Sequence, residues 1–480
     1  MRYAGLVVHG IGEQQKGDTI KIVVKHFYEF IVKSRLGAKP RVAATPEGVP
    51  GPVRATLDFH AQGQHYLLEF AEIWWARSFH PPPLGTAALF FIRWGLREFW
   101  RLLERIGDFF LSFARRPRQG VSRTAALLRR ADPVWLQMLL VDVVLVASAP
   151  LWLPLLLALW VLDAGPIKRF VPAVVREVHR MLVSIVTTRL GDVSVYLDDA
   201  WEASRITSAF EEELEKLVSA YKRGELDGVF VIAHSMGAVV AFEGLLRKSA
   251  LLALAPGDKP FLRFITIGAA LNRAWRMLPA TYDYRLKRQL PEGVIWTDIW
   301  ASHDPVPVGG IEQPQWAPRG HVDELEVVNQ EDIFSDHGAY WNNAEEVVAR
   351  MLGDIAGITV HPPLDVRYRR RRVRLLALLK TAAWASAPAV FLWLAISEWS
   401  KEFAQWIEGT AILEIPLTWF TAGGPGKPNS FVDMLGGDWL LEHGILPFLA
   451  AAFLAIAVAF CYSTVVKWAW DLWDKSVKYR

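Results

Sequence analysis

The chain alternates between two kinds of hydrophobic pattern. Residues 3–8 form a short apolar run that ends in His9-Gly10-Ile11-Gly12, a strand running into a glycine-rich turn. Asp18 precedes an amphipathic stretch over 19–34, which reads as a capped helix, and 40–52 reads as loop. Two further strands are expected over 53–59 and 66–75, joined by Gln62-Gly63-Gln64. After Pro81-Pro82-Pro83 the pattern changes. Over 85–116, Arg93, Arg97, Arg101 and Arg105 recur every four residues and share one helical face, while Ile92, Phe99, Trp100, Leu103, Ile106 and Phe110 fall mostly elsewhere. That pattern predicts a helix lying in a membrane surface, a soluble helix with a basic face being the alternative. The soluble pattern resumes near 175. A strand is expected over 193–197, a helix over 203–222, and strands over 229–233, 264–267 and 294–300, with helices between them. Alternation of this kind builds a largely parallel sheet covered on both faces, hence an α/β fold.

Three longer apolar stretches stand apart. Residues 134–162 would make one helix of about 43 Å, at about 1.5 Å per residue, against a hydrocarbon core of about 30 Å. Basic residues flank both ends (Arg129 and Arg130, then Lys168 and Arg169), and Pro150 and Pro154 supply a place to bend. A bent or re-entrant hairpin is expected, a full pair of crossings with 84–113 being the alternative. Residues 375–396 and 445–466 are long and nearly free of charge. Arg367, Arg369 to Arg372 and Arg374 precede the first; Lys467, Lys475, Lys478 and Arg480 follow the second; the loop between them is mostly acidic. Cationic flanks stay on the cytoplasmic side, so a transmembrane hairpin with both ends inside is expected.

Composition fits this division. Hydrophobic residues are 52% and charged residues 21% of the 480, with 22 tryptophans, a residue that favours membrane–water boundaries. The lone cysteine, Cys461, permits no internal disulfide and no cysteine zinc site, and its apolar surroundings predict a small buried hydrophobe. The first ten residues carry no signal-peptide pattern, so the first folded unit is expected in the cytoplasm. Four segments follow: a first part of the α/β unit at 1–80, a membrane-associating insertion at 81–174, a second part of the α/β unit at 175–360, and a basic linker with the hairpin at 361–480.

The chemistry concentrates in Ala233-His234-Ser235-Met236-Gly237. A β-branched strand runs into this turn and an Ala/Val-rich helix leaves it, the context of a nucleophile elbow with Ala233 in place of the usual first glycine. Serine needs a histidine to take its proton and an acid to orient that histidine. In this order of elements both lie in loops after later strands. Asp304, in His303-Asp304-Pro305 after strand 294–300, is the expected acid, and Asp298, inside that strand, the alternative. His337 is the expected base, just before a helix; His321 and His361 also follow the serine. Backbone N–H groups of Met236 and of Ile11 or Gly12 would form the oxyanion hole. No lysine stands in P-loop spacing after the early glycines, which sets nucleotide binding aside.

Together Val8-His9-Gly10-Ile11-Gly12-Glu13, Ala233-His234-Ser235-Met236-Gly237, Asp304-Pro305-Val306 and His337-x-x-Tyr340-Trp341 resemble the lipase-like α/β-hydrolases related to GPI-inositol deacylases, over roughly 1–80 and 175–352. The resemblance implies an α/β-hydrolase fold and ester cleavage, often of lipids. Ala233 and the insertion at 81–174 depart from the simplest pattern, and the insertion bears on access to the site. The expectation is a membrane-anchored serine hydrolase acting on a lipid-like acyl ester. It needs no metal or cofactor, binds bilayer and hydrophobic ester but no nucleic acid, and keeps its catalytic part on the cytoplasmic side. A catalytically inactive membrane scaffold with the same fold is the rival, and oligomeric state is left open.

Overall fold

The computed structural model describes residues 1–11, 15–36, 40–45, 52–75, 82–114, 193–255, 258–278, 285–307, 309–311, 316, 322–329 and 335–358, with single positions within 375–379 and 458–468. Eight strands form one sheet: β1 Arg2–Val8, β2 Arg41–Ala44, β3 Arg54–Ala61, β4 Gln64–Ile73, β5 Gly228–His234, β6 Leu262–Ile267, β7 Val294–Ala301 and β8 Val322–Val327. Their order is β2-β3-β4-β1-β5-β6-β7-β8. The six strands from β4 to β8 in that order run parallel, and β2 and β3 are antiparallel additions at one edge. Helices α1 Asp18–Lys33, α2 Leu84–Ala114, α3 Ala200–Lys222, α4 Met236–Arg247, α5 Leu271–Met277 and α6 Ala349–Ala356 accompany the sheet. The chain is thus an α/β protein.

The sheet is dry on both faces. Along β5, Val229, Val231 and Ala233 join one buried cluster with α3 and α4, while Phe230 and Ile232 join another with α1 and α6. A parallel strand covered on both sides must be apolar at every position, which is why 229–233 reads as an unbroken run.

The chain divides into two compact units, 1–142 with 182–377 and 143–181 with 378–480. The first takes in α2. The stretches 134–162, 375–396 and 445–466 lie wholly or mostly outside the described residues. Among the described residues, no helix is long and apolar enough to cross a membrane. In the second unit Cys461 is exposed, not buried, and Val458, Tyr462, Val465 and Trp468 beside it are exposed too.

Three local expectations are corrected. Residues 193–198 are helical, not a strand. Val193, Tyr196 and Leu197 sit at i, i+3 and i+4, a helical spacing, and pack on the core. Part of the expected loop at 40–52 is strand β2, a short exposed edge strand. The α1 N-terminus is satisfied not by Asp18 but by Glu72 of β4, whose carboxylate accepts the backbone N–H groups of Gly17 and Thr19. Burial raises the Glu72 pKa, and these N–H donors oppose that rise. The β3–β4 connection is a two-residue hairpin turn with Gln62 at φ 50° and Gly63 at φ 76°, the twist that matches the flanking strands.

Candidate active site

The strand order reverses at β1. The chain leaves β1 toward β4 on one side and returns as β5 on the other, so the loops after β1 and β5 meet over a crevice at the carboxyl edge of the sheet. His9-Gly10-Ile11 follows β1, and Ser235 follows β5. The two halves separated by the long insertion are therefore neighbours here. A Cβ on Gly10 would lie 2.7 Å from the Ser235 Cβ.

Ser235 has φ 57° and ψ −127°. This is the mirror-turn conformation that glycine normally supplies, and it costs a residue with a Cβ about 1–3 kcal/mol. The turn is held by Ser235 N–H donating to the Ile267 carbonyl (3.0 Å) and by the Ser235 carbonyl accepting from Ala270 N–H (3.2 Å). The two small residues of the elbow differ in need. A Cβ at Gly237 would overlap the carbonyls of His9 and Val8, so only glycine fits. The methyl of Ala233 fills the core between Val8 and Thr266, its partners in the sheet, and is accommodated.

His337 lies within a 3-10 helix, Asp336–Asn342, ahead of the helical residues Ala344–Val348 and of α6. Its Nδ1 bonds Asp304 Oδ2 at 2.8 Å. Its Nε2 is buried and has no hydrogen-bond partner among the described residues. Asp304 is buried and fully engaged. Oδ1 accepts Val306 N–H at 2.8 Å, and Oδ2 accepts the Tyr340 hydroxyl at 2.7 Å as well as His337. Tyr340 OH in turn accepts Ala301 N–H at 2.9 Å, which ties the acid to the end of β7. Burial raises the Tyr340 pKa well above the usual range, so it stays a donor. The alternative acid, Asp298, points elsewhere. Its Oδ1 accepts the Thr266 hydroxyl at 2.5 Å, and burial raises its pKa to about 7. His321, His361 and Gly12 lie outside the described residues.

His234, next to Ser235 in the chain, contacts His337. Its ring stacks on His337 at 4.7 Å, and its Nε2–H donates to the His337 carbonyl at 2.9 Å. Desolvation, with repulsion from His337 second, lowers its pKa to about 3. Gly268, with φ 54°, closes the site from β6. A Cβ there would lie 2.8 Å from Asp304 Oδ2 and 3.2 Å from His337 Cε1. No sequence signal marked Gly268 beyond a glycine directly after a strand, and Tyr340 entered only within a motif.

The Met236 N–H begins α4 and has no intrahelical acceptor; with the positive end of the helix dipole it faces the Ser235 turn. Ile11, the other described donor candidate, packs partly buried against the core. Its turn is braced by Trp75, whose backbone N–H donates to His9 Nε2 and whose indole N–H donates to the His9 carbonyl, both at 3.1 Å. Nε2 being an acceptor, the proton sits on Nδ1, which donates to the Gly10 carbonyl at 2.6 Å.

No protein-family model, curated protein or solved structure matches the chain. The site therefore stands on its own geometry. Among the described residues no three His, Cys, Asp or Glu side chains gather in a way that could hold a metal.

The His9 ring yields a pH prediction. Burial lowers its pKa from 6.5 to about 4, so the unfolded chain binds the extra proton first as pH falls. Stability from neutral His9 is complete above pH 6.5 and is lost as pH drops toward 4, by on the order of 3 kcal/mol across that window. Melting of the detergent-solubilised protein should show this fall. His9→Gln should flatten it by about 1.4 kcal/mol per pH unit. An unchanged pH slope in the variant would contradict the assignment.

Proposed function

We propose that the chain is a membrane-anchored serine hydrolase with the α/β-hydrolase fold, cleaving acyl esters of a lipid-like substrate from the cytoplasmic side. The observation that carries this reading is Ser235 held at positive φ on a strand-to-helix turn. A serine is strained in this way where its hydroxyl must stand clear of both elements. The Asp304–His337 hydrogen bond, with the His337 ring stacked on His234, supplies the rest.

In this reading Ser235 Oγ attacks the acyl carbon while its proton passes to His337 Nε2. The carbonyl π electrons move to oxygen, and the N–H groups of Met236 and Ile11 receive that oxyanion. Collapse expels the alcohol, which leaves with the proton from His337, and the acyl group stays on Ser235. Water then repeats the sequence in reverse, giving up a proton to His337, and the fatty acid is released. Asp304 holds the imidazole with Nδ1–H toward it and stabilises the imidazolium without taking the proton.

Support for the lipid part comes from location. It rests on the apolar stretches at 134–162, 375–396 and 445–466 and on the exposed apolar side chains at 458–468. The purified full-length protein in vesicles is expected to release fatty acid from an embedded ester and to cleave a soluble short-chain ester more slowly. Turnover of the short-chain ester alone would remove the lipid assignment. Turnover of neither would favour the scaffold.

A further inference from the structure

Helix α2 is mounted inside out relative to an ordinary surface helix. Leu84, Ala87, Phe90 and Leu102 are buried, and Phe90 joins the core cluster that contains α3 and α4. Leu89, Ile92, Leu96, Phe99, Trp100 and Leu103 are 40–70% exposed, and at 3.6 residues per turn they fall within an arc of about 100°. Arg93 and Arg97 occupy one border between the two faces. Arg93 makes two bonds to the Asp198 carboxylate, at 2.7 and 2.8 Å, and Arg97 donates to the Arg276 carbonyl on α5. These two arginines clamp the helix to the domain, although their spacing in the sequence suggested a face given to headgroups. The side chains of Arg101 and Arg105 lie outside the described residues.

The clamp sits beside the active site. On α5, Arg273 lies with its guanidinium 5.6 Å from the Trp94 ring of α2 and donates to the Pro305 and Val306 carbonyls that follow Asp304. Ala270, just before α5, bonds Ser235. The chain that leaves α2 carries Arg115, Arg116, Arg118, Arg123, Arg129 and Arg130, with no acidic residue from 109 to 131.

We propose that the outward face of α2 docks on an anionic phospholipid surface and so sets the mouth of the active site against the bilayer. An apolar stripe with Phe and Trp, followed at once by six arginines, matches a surface offering hydrocarbon beneath negative charge. The proposal deepens the lipid-esterase reading and rests on it for its consequence. The contact is separate from anchoring by the C-terminal segments. It places the ester bond at Ser235 without the lipid leaving the membrane.

The test uses the full chain with Cys461→Ser and a single fluorophore on Leu96→Cys, reconstituted in phosphatidylcholine–phosphatidylglycerol vesicles. A label on Lys216→Cys of α3 is the control. The Leu96 label should be quenched by nitroxide-bearing lipid and shielded from iodide, and the Lys216 label the reverse. Iodide quenching at Leu96 equal to that at Lys216 would overturn the proposal. So would shielding from both quenchers, because protein would then cover the face. In the same vesicles Leu96→Asp/Trp100→Asp should lower turnover of an embedded ester by about tenfold and leave a soluble short-chain ester unchanged. Equal turnover of the embedded ester would also overturn it. The quenching result does not depend on catalysis, so a failure of the esterase reading remains distinguishable.

Discussion

Replacing Ser235 by alanine is expected to lower ester turnover by about 10⁶-fold, the scale seen when a triad nucleophile is lost. His337→Ala should cost a similar factor, and the double variant little more than the worse single one. The reason is geometric. Ser235 is presented on a strand-to-helix turn at positive φ, and His337 Nε2 is buried without a hydrogen-bond partner among the described residues. Either group alone accomplishes little of the chemistry. Steady-state turnover of a short-chain ester by the three variants decides it. Multiplicative losses would mean that the two residues do not act as a unit.

The second large effect separates two aspartates six residues apart. Asp304→Asn should lower kcat by about 10⁴-fold, because an amide that donates to Nδ1 holds the imidazole in the wrong tautomer. Asp298→Asn should retain near wild-type turnover, since Asp298 bonds Thr266 and not His337. It should also change stability in a defined direction. The folded pKa of Asp298 is raised from 3.8 to about 7, so the folded protein holds a proton that the unfolded chain has lost. The native state is therefore penalised as pH rises through that window. The asparagine variant should escape the penalty and melt higher than the wild type at pH 8. Loss of activity in Asp298→Asn with activity kept in Asp304→Asn would exchange the two roles.

The sheet was legible where burial on both faces made the strand a continuous apolar run, as in β5 and β6. It was least legible where the chain is exposed or polar. Strand β2 has no buried residue, and β8 reads Val-Asp-Glu-Leu-Glu-Val, so neither has a core pattern to betray it. The helix over 193–198 was mistaken for a strand because its apolar residues are few and partly β-branched, and its packing on α3 and α4 cannot be read locally. At the candidate site, Ser235, Asp304 and His337 stood out through spacing and order along the chain. Those that hold them in place did not. Gly268, Tyr340, Trp75 and Glu72 act through contacts across 36 to 72 positions. No local pattern encodes contacts made at that distance. The orientation of α2 is the sharpest case. The arginine period was correct as a helical face, but only the partners Asp198 and Arg276 reveal that Arg93 and Arg97 face the protein.

The central claim is that Ser235 is a nucleophile, and covalent trapping tests it most directly. The folded full-length protein is exposed to a fluorophosphonate and its peptides are mapped by mass spectrometry, with a sample unfolded beforehand as control. The account predicts one adduct, on Ser235, that forms only in the folded protein and is absent from Ser235→Ala. An active preparation with no adduct at Ser235, or an adduct on another residue that persists in Ser235→Ala, would contradict it.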